Sequence, residues 1–377
     1  MVINDSSIFN GSKVNYKDKT INNCFMLQRT ARGETINNCF VLQRTARGNN
    51  MSQIIVENLV KTFQVAKRKS GLWNATKGLI HREYNTVNAL EGVSFKLDAG
   101  ELVGYIGPNG AGKSTTVKVL SGILVPNSGR CEVLGNVPWK NRISHVKNIG
   151  VVFGQRSQLW WDLPVIDSFE LLKDIYNIPE IQYKTTKDEL VERLSLQQIL
   201  EVPVRQLSLG QRMRCEISAS LLHTPPILFL DEPTIGLDAV SKLAVREFIK
   251  ELNKKHGTTV ILTTHDMDDI EALCSRVMVI GKGQILLDGT INEIRNTVSK
   301  ERRLIIDLEQ QITEISIEEA KVVKVEGNRA YLDFNPDKIT PAQLIWNISS
   351  KYKIKDLFIE NPPIDEVIAK FYGEFKI

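Results

Sequence analysis

The chain lacks several features that mark particular classes of protein. No apolar run approaches the roughly 18 residues that a membrane-spanning helix needs, so we expect no span in this sequence. The first residues, 1–15, are polar, so we expect no secretory leader. The five cysteines are far apart and form no CxxC pair, which favours a reducing compartment over a disulfide framework. The five histidines are scattered too, so a metal site built from protein ligands alone is not expected.

A charge excess is also missing from most of the chain. Residues 1–50 hold seven Lys or Arg against three Asp or Glu, which accounts for the whole net charge of +4. The rest of the chain, residues 51–377, has no net charge. This argues against a nucleic-acid-binding surface as the main function, so no nucleic-acid partner is expected. The length of 377 residues predicts more than one domain.

The first 50 residues contain a short duplication. Residues 20–33 recur as residues 35–48 with Val41 in place of Met26. Folded solenoids use longer units and more copies, so this repeat indicates a recent duplication of DNA rather than a fold. We expect residues 1–50 to be a disordered tail or an extension upstream of a natural start at Met51. A partner-binding arm is the alternative.

Strands and helices alternate from residue 51 to about residue 290. Short runs predict strands at 102–106, 148–153, 227–230, 260–262 and 277–280, and the last three are expected to be buried. Helical spacing predicts a helix over 240–254, with Val240, Leu243, Ala244, Phe248 and Leu252 facing the core. This order of elements predicts an α/β domain over 51–296.

Two further segments differ from this pattern. Residues 297–377 read as a hairpin, flanking strands and two helices, which predicts a small α+β C-terminal domain. Residues 64–83 mix basic and apolar side chains. They are either a solvated loop or a segment that rests on a membrane surface or a membrane partner.

A glycine-rich loop between a predicted strand and a predicted helix carries the strongest functional signal. Residues 107–115 fit the pattern Gly-x4-Gly-Lys-Ser/Thr, in which glycines let backbone N–H groups surround a polyphosphate. Lys113 would reach the β- and γ-phosphates, and the Ser114 hydroxyl would reach Mg²⁺. The residues expected to bind nucleotide here are Gly107, Asn109, Gly110, Gly112, Lys113, Ser114 and Thr115.

Acidic and imidazole side chains follow two other predicted strands. Asp231 ends the apolar run 227–230 and suits a magnesium ligand, and Glu232 is the candidate general base for the attacking water. His265 follows the run 260–262, which delivers it to the same edge of the sheet as a donor that senses the γ-phosphate.

A second helix start carries a hydroxyl and a glycine. Ser208, Gly210 and Gln211 open a helical run about twenty residues before Asp231. A helix start of this kind favours an anion. Since residues 107–115 already hold the phosphates from one side, this second site is best explained if it caps the nucleotide of another subunit.

In combination these motifs resemble the ATP-binding subunits of ABC transporters over residues 51–290, and they are most similar to the ABC-2 type exporter ATPases that include antibiotic and sodium efflux systems. On that resemblance Gln155 matches the Q-loop glutamine, a further catalytic and magnesium-binding residue. Residues 207–211 match the signature LSGGQ with Leu209 in place of its first glycine, Asp238 matches the D-loop, and His265 matches the switch histidine.

The resemblance implies a P-loop NTPase cassette with a parallel core sheet, an antiparallel β subdomain and a helical signature subdomain. It also implies an aromatic side chain stacked on adenine, which we expect to be Tyr84, with Phe63 as the competitor. Trp160 and Trp161 follow Gln155, where the family receives a coupling helix of the membrane subunit. The two rings are either an interface anchor or part of the local helical packing.

The resemblance implies that the protein binds ATP and Mg²⁺ and hydrolyses ATP. The hydrolysis would power export by membrane subunits on separate chains, and the protein would lie at the cytoplasmic face of the membrane. Two copies, or one copy and a paralogue, would enclose two ATP molecules. Alternatives are an importer ATPase with a regulatory C-terminal domain, and a cassette ATPase that acts on ribosomes or DNA instead of a transporter.

Overall fold

The computed structural model describes residues 30–31, 34–35, 52–66, 84–154, 156–311 and 315–374. The chain divides into two units, residues 1–50 and residues 51–377. In the first unit the strand Thr30–Ala31 pairs antiparallel with the strand Glu34–Thr35. The other predictions for residues 1–50, and those for residues 67–83, lie outside the described residues.

The second unit contains strands and helices that we number in chain order. The strands are β1 (Ile54–Ala66), β2 (Tyr84–Leu97), β3 (Leu102–Ile106), β4 (Ser128–Val133), β5 (Ile149–Phe153), β6 (Ile227–Asp231), β7 (Thr259–Thr263), β8 (Arg276–Gly281), β9 (Gln284–Gly289), β10 (Arg302–Leu308), β11 (Lys321–Glu326), β12 (Arg329–Phe334) and β13 (Ile354–Glu360). The helices are α1 (Lys113–Leu120), α2 (Arg142–Val146), α3 (Val165–Tyr176), α4 (Glu180–Arg193), α5 (Leu209–Leu221), α6 (Ala239–His256), α7 (Met267–Leu273), α8 (Ile291–Val298), α9 (Pro341–Ser349) and α10 (Ile364–Glu374).

The main sheet has the strand order β9-β8-β3-β7-β6-β5. Its pairs are parallel except β8 with β9, which is antiparallel. Every residue of β3, β6 and β7 is buried, which explains why these strands read as continuous apolar runs. The parallel sheet predicted from the sequence is confirmed. Because β3, β6 and β7 are neighbours, the segments that follow them meet at one edge.

Each face of the main sheet is covered by a different layer. The antiparallel sheet β2-β1-β4 and α1 cover one face, where Val56, Phe95, Tyr105 and Val117 share a core. Helices cover the other face, where Phe169 of α3 and Phe248 of α6 belong to a second core. These layers are the antiparallel β subdomain and the helices that the sequence resemblance implies.

The C-terminal region forms its own sheet, with the order β11-β12-β10-β13 and a core that includes Phe334 and Leu344. The last helix, α10, does not pack in this core. Its apolar residues join the helix-side core of the main sheet instead. Arg303 of β10 is buried and donates to Asp333 of β12 and Glu366 of α10, so an ion-pair network links the small sheet to α10.

Helix α6 buries a different face from the one that the sequence predicted. Its buried residues are Val245, Phe248, Ile249 and Leu252. The prediction was right for Phe248 and Leu252 and wrong for Val240, Leu243 and Ala244, which are exposed. The buried residues of α6 begin at Val245, so the apolar side chains of the first six residues stay in solvent although their spacing is helical.

Among the described residues, no helix combines the length and the apolar character that crossing a bilayer requires.

Candidate functional site

The glycine-rich loop joins β3 to α1. Gly112 is the N-cap of α1 and has a φ of 113°, and a Cβ on it would lie 2.6 Å from the carbonyl oxygen of Ala89. A Cβ on Gly107 would lie 2.3 Å from the carbonyl oxygen of Ile280. Both positions therefore require glycine, and the loop keeps its backbone N–H groups free of side-chain cover at the positive end of a helix.

Lys113 lies folded over this loop. Its Nζ donates to the carbonyl oxygen of Gly107 at 2.6 Å and to that of Pro108 at 3.2 Å. Burial lowers the pKa of Lys113, and the charges of Glu232 and Asp231 oppose that shift. The ammonium group is thus placed at the loop and faces two carboxylates across the sheet edge.

Asp231, the last residue of β6, joins the loop to the neighbouring strand. Its Oδ1 accepts from Ser114 Oγ at 3.2 Å and from Thr263 Oγ1 at 2.5 Å. The residue is 9% exposed. Hydroxyl and carboxylate oxygens are the ligand types that Mg²⁺ prefers, so the donor set of Ser114 and Asp231 fits that ion.

Glu232 follows directly and has a φ of 55°, a left-handed conformation that is uncommon for a residue with a side chain. Its N–H donates to the carbonyl oxygen of Thr263 at 2.9 Å. Its Oε1 lies 3.6 Å from His265 Nδ1. The His265 side chain is 60% exposed and that of Glu232 is 21% exposed, so both can reach a ligand in solvent.

Ser114, Asp231, Glu232 and His265 open onto one cleft of about 770 Å³. The predicted residues Gly110, Gly112, Lys113 and Thr115 are not among the described residues that line it, and Lys113 lies behind the loop on the carbonyl oxygens of Gly107 and Pro108. The predicted residues that line it are Gly107, Asn109, Ser114, Asp231, Glu232 and His265. Residues that the sequence reasoning missed are Pro108, Lys118, Ile123, Phe153, Gly154, Arg156 and Ile235. Lys118 follows Ser114 by four residues on α1, and this helical spacing was the signal that could have found it.

Two predicted residues need separate mention. Gln155 lies outside the described residues. Tyr84 is the first residue of β2 and is 51% exposed, and its competitor Phe63 on β1 is half-buried, with Lys61 Nζ 5.3 Å from its ring centroid. Neither ring is among the described residues that line the cleft, so the choice of the adenine-stacking residue stays a prediction.

The signature residues form a second group. Ser208 is the N-cap of α5, where its Oγ accepts from the N–H of Gln211 at 3.2 Å and its own N–H donates to Gln211 Oε1 at 2.9 Å. This reciprocal capping box fixes the helix start. In the described part of the chain these residues do not line the cleft that Ser114, Asp231 and Glu232 line.

The D-loop packs directly on this helix start. Asp238 caps α6 by accepting from the N–H of Ser241 at 2.9 Å. A Cβ on Gly210 would lie 2.4 Å from Ser241 Oγ, and a Cβ on Gly236 would lie 2.8 Å from Leu209 Cδ2. Leu209 therefore fills space against Gly236, which is a physical role for the one departure from the signature pattern.

Comparison with known proteins agrees with this arrangement. Residues 90–235 match the family model described as ABC transporter. The linearmycin resistance ATP-binding protein LnrL of Bacillus subtilis is 33% identical over 66% of this chain and 77% of its own length. The daunorubicin resistance ATP-binding protein DrrA3 of Streptomyces coeruleorubidus is 35% identical over 59% of this chain and 69% of its own length.

Proteins that are not named for drug resistance match this chain at a similar identity. The methionine import ATP-binding protein MetN 2 of Enterococcus faecalis is 33% identical over 65% of this chain and 71% of its own length. Among solved structures, the dimeric bacterial ABC transporter cassette MJ0796 aligns with a TM-score of 0.52 and 25% identity, over 63% of this chain and 98% of its own.

The fold, the phosphate loop beside the two acidic residues at the end of β6, and relatives covered over more than two thirds of their length lead to one conclusion. This chain belongs to the ABC transporter family, as an ATP-binding and ATP-hydrolysing subunit.

Proposed function

We propose that the cleft between α1, β6 and β7 binds ATP with Mg²⁺ and hydrolyses the γ-phosphate. The observation that carries this proposal is the convergence of Lys113, Ser114, Asp231, Glu232 and His265 at one sheet edge. These five side chains, supplied by three segments, are of the types that phosphoryl transfer needs, and structural packing alone gives no reason for them to meet.

The residues divide the chemistry between them. Lys113 and the N–H groups of the loop, including those of Gly110 and Thr115, bind the phosphates. Ser114 and Asp231, with Gln155, would hold Mg²⁺, which neutralises charge on the phosphates when it is bound. Glu232 accepts a proton from the attacking water, and His265 donates to the γ-phosphate and orients the water.

The second half of the site comes from another chain. Ser208, Gly210, Gln211 and Asp238 form a rigid surface that does not line the cleft of their own chain. Ser208 and Asp238 are exposed. We infer that they cap the nucleotide of a second copy or a paralogue, as a dimeric relative of this fold would allow.

Membrane subunits on separate chains are the proposed partner, with the protein at the cytoplasmic face of the membrane. Trp160 and Trp161 are 38% and 51% exposed, and Arg212 Cζ lies 5.6 Å from the Trp161 ring centroid. Exposed adjacent tryptophans favour the interface-anchor interpretation of this segment over complete burial.

Export is the proposed direction, supported by the relatives named for drug resistance. The import relative keeps the importer ATPase as the alternative. An adjacent gene for a six-helix membrane protein supports export, an adjacent gene for a periplasmic binding protein supports import, and the presence of neither supports a cassette ATPase that acts on ribosomes or DNA.

The proposed domain organisation assigns residues 51–296 to the ATPase cassette and residues 297–377 to a small C-terminal domain. The separate core of Phe334 and Leu344 supports this division for the small sheet, whereas the apolar residues of α10 pack in the helix-side core of the main sheet. Residues 1–50 are proposed to be an extension outside the cassette. Intact-mass measurement of the native protein tests whether residues 1–50 are present in it.

Mixing two inactive variants tests the proposed function. Lys113→Ala removes the phosphate-binding lysine, and Ser208→Arg blocks the cap. Each variant alone is expected to lose ATP hydrolysis. In an equimolar mixture half of the dimers are hybrids with one intact site, so activity returns to about a quarter of the parental value.

The controls separate the two halves of the proposal. Ser208→Arg must still bind ATP, because its own cleft is intact. Full hydrolysis by Lys113→Ala would refute the assignment of the cleft. Absence of recovery in the mixture, with hybrids shown by differential tagging, would refute the shared site.

A further inference from the structure

A buried carboxylate outside the proposed site connects the segments that form it. Asp269 lies in α7, four residues after His265, and its side chain has no exposed surface. Its Oδ2 accepts from Thr234 Oγ1 and, at 3.3 Å, from Thr264 Oγ1. Its Oδ1 accepts from Arg246 Nε at 2.5 Å.

Each partner belongs to a segment with a proposed function. Thr234 follows Glu232 by two residues, and Thr264 directly precedes His265. Arg246 lies on α6, the helix that Asp238 caps. One carboxylate therefore bonds to the segment of the proposed base, to the segment of the switch histidine and to the helix that begins at the D-loop.

Asp266 makes a second connection between the same segments. It directly follows His265 and forms an ion pair with Lys242 of α6. Its Oδ1 lies 3.6 Å from Arg246 Nη2. Helix α6 is thus joined to the His265 segment at two successive turns.

The bonds of Asp269 fix the relative positions of the three segments. A carboxylate without solvent is costly unless its charge and its hydrogen bonds are satisfied, and charge-assisted bonds are the strong ones. Shifting any of the three segments would leave Asp269 with an unmet acceptor. His265 is largely exposed, so packing of its own side chain does not fix where it points, and the left-handed backbone of Glu232 is a conformation that the surrounding structure has to hold.

We propose that Asp269 is a positioning residue for ATP hydrolysis, which holds Glu232, His265 and the start of α6 in their relative places without contacting nucleotide. This proposal rests on the function proposed above, because it assigns a role toward the same reacting groups. Asp266 also joins α6 to the His265 segment, but Asp269 bonds in addition to Thr234 of the Glu232 segment.

The test is a comparison of steady-state ATPase kinetics. Asp269→Asn keeps the shape but removes the charge, and we expect kcat to fall by about 10- to 100-fold, since small misplacements of catalytic groups have effects of that size. The KM for ATP and the binding of a fluorescent ATP analogue should stay within about 3-fold, because the phosphate loop is untouched.

Two milder variants cover the case in which Asp269→Asn fails to fold. Thr264→Val and Thr234→Val each remove one donor to Asp269, and each should lower kcat by about 3- to 10-fold, the equivalent of one net hydrogen bond. Thr259→Val is the matched control. Thr259 is also a buried threonine whose hydroxyl is hydrogen-bonded, but it lies at the opposite end of β7.

The outcomes decide between explanations. Parental kcat in the threonine variants, or a kcat loss in Thr259→Val as large as theirs, would overturn the proposal. A rise in KM with unchanged kcat would do the same, since it would show a role in binding instead. Glu232→Gln is measured in parallel: if it hydrolyses ATP at the parental rate, the proposed catalytic site is wrong whatever the Asp269 variants do.

Discussion

The Glu232→Gln variant tests the chemistry of the site most sharply. The amide has the same volume as the carboxylate and cannot accept a proton from water. Glu232 Oε1 is 3.6 Å from His265 Nδ1, and the side chain is 21% exposed at the cleft. The substitution therefore removes the base and leaves the phosphate loop, Ser114 and Asp231 in place.

The size of the expected effect follows from the role. A positioned general base contributes about 10²- to 10⁴-fold to a rate. At 1.36 kcal/mol for each factor of ten, that corresponds to roughly 3–5 kcal/mol of transition-state stabilisation. The free energy of unfolding should change by less than about 0.5 kcal/mol, because an isosteric change at a partly exposed position leaves no cavity.

Two assays check this prediction. Phosphate release should fall by at least about 100-fold while binding of a fluorescent ATP analogue is retained. Size-exclusion chromatography with ATP should then show a dimer that persists, because the nucleotide is not consumed. Glu247→Gln, a change at an exposed acid of α6, should leave the rate unchanged. Parental turnover in Glu232→Gln would refute the assignment of Glu232 as the base.

Three other predictions concern binding, packing and ionisation. Lys113→Ala should weaken ATP binding at least about tenfold in a fluorescence titration, since a charge-assisted contact to phosphate is lost; unchanged affinity would contradict this. Gly107→Ala should lower the free energy of unfolding in urea by about 1–3 kcal/mol, because its Cβ would lie 2.3 Å from the backbone carbonyl oxygen of Ile280, whereas Gly373→Ala, whose Cβ would meet no atom within 4 Å, should not lower it; equal stability of the two variants would contradict this. Burial raises the pKa of Cys131 and of Cys215 to about 12, so peptide mapping should find both thiols unmodified by iodoacetamide at pH 8 in the folded protein. Because the unfolded thiols ionise above about pH 8.5 and the folded ones do not, stability should fall as pH rises through that range, and an equal urea midpoint at pH 8 and pH 10 would contradict it.

Much of the site could be predicted because its chemistry is local in sequence. The consecutive residues Gly112, Lys113 and Ser114 belong to one loop, so their pattern in the sequence is enough to predict a phosphate-binding site. Asp231 and His265 follow short apolar runs that clearly predict strands. The segments that follow parallel strands lie at one edge of the sheet. The order of the strands alone was therefore enough to predict that these residues lie close together.

The rest depended on packing that no local pattern shows. Strands β4 and β9 were missed because both carry polar or half-exposed residues at the sheet edges. The inward face of α6 was wrong at Val240 because helical spacing does not show where the packed layer begins. Asp269 was missed because two of its three partners, Thr234 and Arg246, come from segments that are distant in sequence.

The measurement that tests the account most directly is a structure of Glu232→Gln with ATP and Mg²⁺, alone or with its membrane subunits. The account predicts each triphosphate between Lys113 of one chain and Ser208 of the other. Nucleotide bound by a single chain, with Ser208 facing solvent in the trapped complex, would contradict it.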